Sequence, residues 1–368
     1  MKPRVQKILQ YLDPKPDAIV LANATAPHLD ATFLYVFDVP AGLFEGSVAV
    51  AHPDGELDVL TAPLEAESAE QAAKRDPHAK VHVVGREETD GELRKLLGNI
   101  GTIGLNYREL THEWFLRLER AFPETRWVDA SNAIRRARVT KDANEIQLLR
   151  RAGEIGSRVG REIPDVLKAG MTELELAAEM EYRMNRYGAS GTSFSTIVGF
   201  GPHSAEPHYS PAETKLRAGD SIVCDFGAYY RRYASDITRS FHFGRRDDEM
   251  KRVHETVQAA QQAALEAIRP GVLAKEVHLA AARVIDASPW KGRLTHGVGH
   301  SIGLMVHDGW SYGPNAEDPL EVGMTFTVEP GIYLPGHGGV RIEDDIVVSK
   351  NGYEFLTTAP REYVEVAA

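Results

Sequence analysis

Four carboxylates set within apolar runs are the residues of this sequence best suited to chemistry. Asp225 lies in IVCDFG, Asp236 in ASDITRSF, Glu329 at the end of TFTVE, and Glu343 in VRIEDDIVV. Ionised carboxylates brought together in such surroundings repel one another unless a cation lies between them. A divalent metal that prefers oxygen ligands is the natural occupant. The sequence therefore predicts a dinuclear metal site on these four side chains.

The two aspartates fit one β-hairpin. Only FGAYYRRYAS separates them, and a turn centred on Tyr230-Arg231 would place Asp225 directly opposite Asp236. Directly opposed residues share one face of an antiparallel ladder, with Cβ atoms roughly 5 Å apart.

The two glutamates fit a second hairpin in the same way. The segment between them, PGIYLPGHGGVRI, can fold back around Gly336, which would bring Glu329 opposite Glu343. Pro330 directly after Glu329 would interrupt regular pairing, and interrupted ladders are common beside active sites.

Histidines are concentrated in the segment THGVGHSIGLMVHD, which contains His296, His300 and His307. The glycines beside His300 allow a tight backbone that could approach a metal, and a neutral imidazole is a standard ligand for manganese, cobalt or zinc. His208 lies upstream, in EPHYSP, between two prolines. A lone histidine is more often a surface residue, but three within twelve positions favour a site.

Two domains are expected from the length of 368 residues. Residues 1–131 interleave short strands with helices, which indicates a small α/β domain. Residues 132–141, NAIRRARVTK, are expected to form a linker. Residues 142–368 should form an α+β domain, because helices are grouped between strand-rich stretches. Its expected helices are 142–168, 172–187, a stretch near 246–268, and 275–287.

Composition excludes several classes of protein. The net charge of −11 argues against binding to a nucleic acid backbone. The single cysteine, Cys224, excludes an intrachain disulfide and a thiolate zinc cluster. Neither a secretory signal nor a membrane-spanning apolar stretch is evident. We therefore expect a cytoplasmic protein without membrane or nucleic acid partners. GVGHSIG lacks the spacing and the βαβ context of a dinucleotide-binding loop.

The motifs DFG…DITRSF, HGVGHSIG, TVEPG and RIEDD together resemble those of the pita-bread metallopeptidases, and most closely the prolidase and aminopeptidase P branch. The specific resemblance covers residues 141–368. It implies a pita-bread catalytic domain preceded by a creatinase-type N-terminal domain. It also implies five ligands for two divalent metals, expected to be manganese, with cobalt or zinc as alternatives: Asp225, Asp236, His300, Glu329 and Glu343.

The resemblance also implies residues beside the substrate. His208 and His307 match two histidines of the family that lie there, and His296 and Arg341 match further positions of the pocket. Two metals about 3.5–4 Å apart would hold a bridging hydroxide that attacks the carbonyl before proline. Glu329 is then the expected general base and proton shuttle. His208 and His307 would donate hydrogen bonds to the oxyanion or the prolyl group.

Arg341 stands two residues before Glu343 on the same strand face, so we expect it either to orient that ligand or to form a plain salt bridge. Three activities stay open. An Xaa-Pro dipeptidase is favoured slightly, an aminopeptidase P acting on Xaa-Pro-Yaa peptides is the alternative, and a non-catalytic peptide-binding module is the third. The family resemblance further implies a homodimer.

Overall fold

A computed structural model describes residues 2–244 and 247–368, with side chains from Arg4 onward. The chain forms two compact units, Met1–Arg138 and Val139–Ala368. The segment 132–141, expected to be a linker, is instead mostly helix, because Ser131–Val139 is α-helical. Ala133, Ile134 and Ala137 recur at helical spacing and are buried, so this segment is part of a packed core. Its basic residues made it resemble an exposed linker in the sequence.

The first unit is the expected α/β domain. In chain order its elements are α1 (Lys2–Leu9), β1 (Ala18–Ala22), α2 (Ala31–Phe37), β2 (Val48–Ala51), β3 (Leu57–Thr61), a 3-10 turn (Pro63–Glu65), α3 (Ala66–Ala73), β4 (Ala79–Val83), α4 (Thr89–Leu97), β5 (Thr102–Leu105), α5 (His112–Ala121), β6 (Arg126–Asp129) and α6 (Ser131–Val139). The six strands form one sheet with the order β4-β3-β2-β1-β5-β6. Within it, β2 and β3 pair antiparallel as a hairpin.

The second unit is α+β, as expected. Its helices are α7 (Ala143–Val166), α8 (Glu173–Arg186), α9 (Asp248–Ala267) and α10 (Ala274–Asp286). Its strands and 3-10 turn are β7 (Gly191–Thr192), β8 (Ile197–Phe200), the 3-10 turn Gly201–Ala205, β9 (Ser221–Phe226), β10 (Ala228–Tyr230), β11 (Tyr233–Ala234), β12 (Ile237–Phe243), β13 (Thr325–Val328), β14 (Gly331–Leu334), β15 (Gly338–Arg341), β16 (Asp344–Ser349), β17 (Gly352–Phe355) and β18 (Glu365–Val366). The predicted start of the third helix at residue 246 lies outside the described residues.

Among its described residues, the second unit has two apolar cores, each built from a helix pair and strands. One joins α7 and α8 to β8, β9 and β12. The other joins α9 and α10 to β13–β16. A capping box begins α8, because Thr172 and Glu175 exchange hydrogen bonds at its start. In the part of the chain that the structure describes, no helix has the length and apolar content needed to cross a bilayer.

Candidate metal centre

A cavity of about 740 Å³ in the second unit collects the predicted site residues. All five predicted metal ligands line it, as do His208, His296, His307 and Arg341. Its remaining walls come from Phe194, Ile197, Ala205, Glu206, Pro207, Thr295, Gly297, Gly299, Val306 and Ser311. The structure therefore brings together every side chain that the sequence analysis assigned to the site.

The hairpin of Asp225 and Asp236 has a different register from the one predicted. Asp225 pairs with Thr238, not with Asp236, because the turn centres on Arg231-Arg232. Both arginines have positive φ, 45° and 73°, as a two-residue hairpin turn of the primed type requires. The shift is of two residues, so Asp236 stays on the same face of the sheet as Asp225.

Gly227 allows close contact between the two strands that carry these aspartates. A Cβ atom there would lie 1.9 Å from the carbonyl oxygen of Ser235 and 2.1 Å from Ser193 Oγ. Only glycine therefore allows the two strands to approach so closely beside the site.

The hairpin of Glu329 and Glu343 has the predicted register. The flanking pairs Val328–Asp344 and Gly331–Arg341 place Glu329 and Glu343 at opposed positions. Regular pairing is interrupted between them, as Pro330 predicted. The backbone N–H of Glu343 turns away and donates to Thr238 O at 3.2 Å. This bond joins the two hairpins, so all four carboxylates lie beside the same cavity.

His300 is held against the strand that ends at Glu329. Its backbone N–H donates to Thr327 Oγ1 at 3.1 Å, and its carbonyl accepts from Thr327 N at 2.9 Å. Its Nε2 lies 3.5 Å from Asp236 Oδ2 and 3.6 Å from Glu329 Oε1. A Cβ on Gly299 would lie 1.9 Å from Thr327 O. This glycine is thus needed for close contact with the Thr327 strand, and its expected role in the approach to a metal stays a prediction.

Two buried acids of this cluster, Asp236 and Glu343, have raised pKa values. Burial, and after it the charge of Asp225, raises the pKa of Asp236 well above its usual range. Burial, followed by the charge of Asp236, raises the pKa of Glu343 in the same way. Isolated buried carboxylates would take up protons rather than stay charged. A cation bound among them removes that tendency.

The donor set fits divalent metals. One donor atom each from Asp236, His300 and Glu343 lie within 4.8 Å of one another. Among the described residues, Asp225 Oδ1 and Asp236 Oδ1 are buried oxygens that accept no hydrogen bond. Such oxygens are rare in folded proteins, and a metal ion would satisfy them. Carboxylate oxygens with one imidazole suit manganese, cobalt or zinc.

Arg341 contacts a different carboxylate from the one expected. Its Nη2 donates to Asp225 Oδ2 at 2.6 Å, while its Nε donates to Thr238 Oγ1 at 3.0 Å. Thr238 Oγ1 in turn donates to Glu343 Oε2 at 2.6 Å. Arg341 therefore orients Asp225 directly and reaches Glu343 only through Thr238. The shared strand face was predicted correctly, but the partner lies on the other hairpin.

Two other histidines of the cavity, His307 and His296, have different neighbours. The rings of His307 and His300 lie edge to face, with centroids 4.2 Å apart. His296 Nε2 lies 2.9 Å from the Tyr333 hydroxyl, and its Nδ1 lies 4.0 Å from Glu329 Oε2. Burial, followed by the charge of His300, lowers the pKa of His307, which favours a neutral ring at neutral pH.

Several residues of the site were missed from the sequence. Thr238 and Thr327 orient the glutamates, since Thr327 Oγ1 lies 3.2 Å from Glu329 Oε1. Asp345 Oδ2 accepts from the backbone N–H of Asp236 at 2.8 Å. Tyr333 links His296 to Arg341, and its buried hydroxyl has a pKa raised to about 12. The alternation of Thr327 with Glu329 and of Asp345 with Glu343 along their strands was the available signal.

Comparisons with known proteins agree with this geometry. Residues 147–350 match metallopeptidase family M24, and residues 35–140 match the creatinase/prolidase N-terminal domain. The Xaa-Pro dipeptidase of Pyrococcus furiosus is 31% identical over 364 residues, which cover 98% of this chain and 99% of that protein.

Two solved structures are also similar. The X-Pro aminopeptidase from Thermotoga maritima MSB8 has a TM-score of 0.88 and 34% identity, covering 95% of this chain and 98% of its own. The Xaa-Pro dipeptidase from Bacillus anthracis has a TM-score of 0.88 and 30% identity, covering 99% of this chain and 98% of its own. Fold and site together define a metallopeptidase of the pita-bread type. The chain belongs to metallopeptidase family M24, with a creatinase/prolidase-type N-terminal domain.

Proposed function

We propose that this protein hydrolyses the peptide bond that precedes proline, preferentially in Xaa-Pro dipeptides, with two divalent metals bound to its five-residue cluster. The observation that carries the proposal is the set of buried carboxylates that converge on one cavity, two of them with oxygens that accept no hydrogen bond. The relatives named Xaa-Pro dipeptidase support the same substrate class.

Asp225, Asp236, His300, Glu329 and Glu343 would hold the metals, and we propose manganese as the native ion. Bound divalent metals supply positive charge that polarises a carbonyl and lowers the pKa of a coordinated water. Proline requires a dedicated pocket because its nitrogen carries no hydrogen in a peptide, so strand-like binding of the substrate is incomplete.

The side chains around the ligands have separate roles in this proposal. Glu329 lies at the cavity wall, half-buried, and is the candidate for accepting and returning a proton. His208 and His307 would donate hydrogen bonds to the oxyanion or to the prolyl group. Arg341 orients Asp225, and a direct contact of Arg341 with substrate stays a prediction. His296 is proposed as a further wall of the pocket.

The second candidate is an aminopeptidase P activity on longer peptides, favoured by the likeness to the Thermotoga maritima X-Pro aminopeptidase. A dipeptidase must bind the free prolyl carboxylate, for which the cavity imidazoles of His208, His296 and His307 are candidates. An aminopeptidase P must leave that side open. A homodimer in the cytoplasm remains part of the proposal.

A direct assay tests both candidates. Purified protein would be stripped with a chelator, reloaded with manganese, and given Xaa-Pro and Xaa-Pro-Yaa peptides of the same N-terminal residue. We expect manganese-dependent release of proline from Xaa-Pro at the higher kcat/KM. Faster cleavage of Xaa-Pro-Yaa would establish the aminopeptidase instead, and no manganese-dependent cleavage of either peptide would refute the proposed function.

A further inference from the structure

One side chain outside the cavity, that of Glu173, accepts an unusually large number of hydrogen bonds. Glu173 lies in the first turn of α8, and its side chain is fully buried. Its carboxylate accepts four hydrogen bonds, all from the segment 200–212. That segment, here called the His208 loop, carries Glu206, Pro207 and His208 into the cavity.

The four donors span the whole His208 loop. Glu173 Oε1 accepts from the backbone N–H of Phe200 at 2.9 Å and from His203 Nδ1 at 3.0 Å. Its Oε2 accepts from the Tyr209 hydroxyl and from the backbone N–H of Ala212, both at 3.0 Å. One carboxylate therefore ties the beginning, the middle and the end of the loop to a single point.

The donor set suits a carboxylate and not an amide. Each oxygen of Glu173 accepts from a backbone N–H, and an amide would present its N–H₂ group to one of these N–H groups, which has no lone pair to offer. The first turn of α8 also favours negative charge through the helix dipole. Burial, followed by the hydrogen bond to Glu173, raises the pKa of Tyr209 to about 12, so this hydroxyl stays a donor.

The loop has internal contacts that transmit this anchoring to His208. The rings of His203 and Tyr209 stack with centroids 4.4 Å apart. Tyr209 directly follows His208 in the chain, so fixing the Tyr209 ring at both its hydroxyl and its face restricts the neighbouring backbone. On the cavity side, Arg341 Nη1 lies 3.4 Å from Pro207 O. His208 is thus held between an anchor at the metal centre and an anchor behind the loop.

We propose that Glu173 is a positioning residue, which sets the place of His208 in the active-site cavity through the hydrogen bonds that it accepts from the His208 loop. This inference rests on the proposed function only where it concerns turnover. Its structural part, that the hydrogen bonds accepted by the Glu173 carboxylate fix the loop, can be tested without any substrate.

The test without substrate is hydrogen exchange of the manganese-loaded, full-length protein. Glu173→Gln should exchange the amides of segment 200–212 at least ten-fold faster than the unsubstituted protein. Glu175→Gln is the matched control, because Glu175 lies in the same turn and caps the helix, and glutamine also serves in a capping box. Unchanged exchange in the His208 loop of Glu173→Gln would overturn the inference, even if the protein proved inactive.

Turnover separates positioning from general stability. In an active enzyme, Glu173→Gln should lower kcat/KM for Xaa-Pro about ten-fold with metal content unchanged. In a His208→Ala background the same substitution should lower kcat/KM less than two-fold, because its effect acts through His208. A loss of equal size in both backgrounds would overturn the inference. If Glu173→Gln does not fold, Tyr209→Phe removes one of the four bonds, and the same two measurements should change in the same direction by less.

Discussion

Arg341 and Asp225 form a buried ion pair between the two hairpins of the site, with Nη2 2.6 Å from Oδ2. The guanidinium also donates to Thr238 and Tyr333, so its orientation is fixed on three sides. Asp225 is left with one oxygen engaged by the arginine and one, Oδ1, with no hydrogen-bond partner. This arrangement fixes the orientation of the unengaged oxygen, which suits a carboxylate that must bind a metal.

Replacing Arg341 should therefore weaken metal binding. We expect Arg341→Met to lower manganese affinity about 10- to 100-fold, the usual cost of losing a partner that orients a ligand. Titration calorimetry of the metal-free protein measures this affinity. Arg293→Met, at an exposed arginine, is the matched control. Equal affinities of the two variants would contradict the role given to Arg341.

Thr238 offers a milder test of the same network. Thr238→Val preserves shape but removes both the donor to Glu343 and the acceptor for Arg341. Loss of a hydrogen-bond donor to a buried carboxylate costs about 1–3 kcal/mol of free energy. We expect lower manganese affinity with an intact fold, checked by calorimetry and circular dichroism. Affinity equal to that of the unsubstituted protein would mean that Thr238 does not support Glu343.

His307 should affect turnover and not metal content. It contacts the ring of His300 but is not among the predicted ligands. We expect His307→Ala to retain its metals and to lose about 100-fold in kcat, the size of effect seen when one oxyanion donor is removed. His112→Ala, an exposed histidine of α5, provides the control. Unchanged turnover in His307→Ala would remove it from the reaction.

His254 should make the stability of the fold depend on pH. It is buried on α9, and its Nε2 donates to Arg361 O at 2.8 Å. Burial lowers its pKa below the ordinary value of 6.5. Below pH 6.5 the unfolded chain binds a proton that the folded chain resists, so the free energy of unfolding falls until the lower, folded pKa is reached.

His254→Gln, which keeps a donor without a titrating ring, should remove this part of the pH dependence. Urea unfolding with chelator present would measure the free energy of unfolding at about pH 7.5 and at about pH 5.5. These two conditions lie on either side of the ordinary pKa of histidine. His112→Gln is the control because its ring is exposed. An unchanged pH dependence in His254→Gln would show that His254 ionises as readily in the folded chain as in the unfolded one.

The sequence predicted the parts of the site that depend on strand alternation. Glu329 and Glu343 lie opposite each other as expected, because Pro330 and Gly336 marked the interruption and the turn. Asp225 and Asp236 share a face, although their register differs by two residues. That difference arises because Arg231 and Arg232 adopt positive φ. Arginine is not a residue type that predicts positive φ.

Other features depend on contacts between distant elements, and alternation within one strand cannot predict those. Arg341 reaches Asp225 across 116 residues of chain. Glu173 is an ordinary helix-start glutamate in the sequence, and its burial follows only from how the His208 loop closes over it. The helix over 131–139 was obscured by its arginines, although its buried alanines already had helical spacing.

Five side chains of one cavity are expected to bind two divalent metals. Elemental analysis of manganese-reconstituted protein, with and without the substitution Asp225→Asn, tests this claim most directly. We expect about two ions per unsubstituted chain, as in other two-metal sites, and a loss of at least one ion together with Xaa-Pro hydrolysis in Asp225→Asn. Full metal content with full activity in Asp225→Asn would contradict the claim.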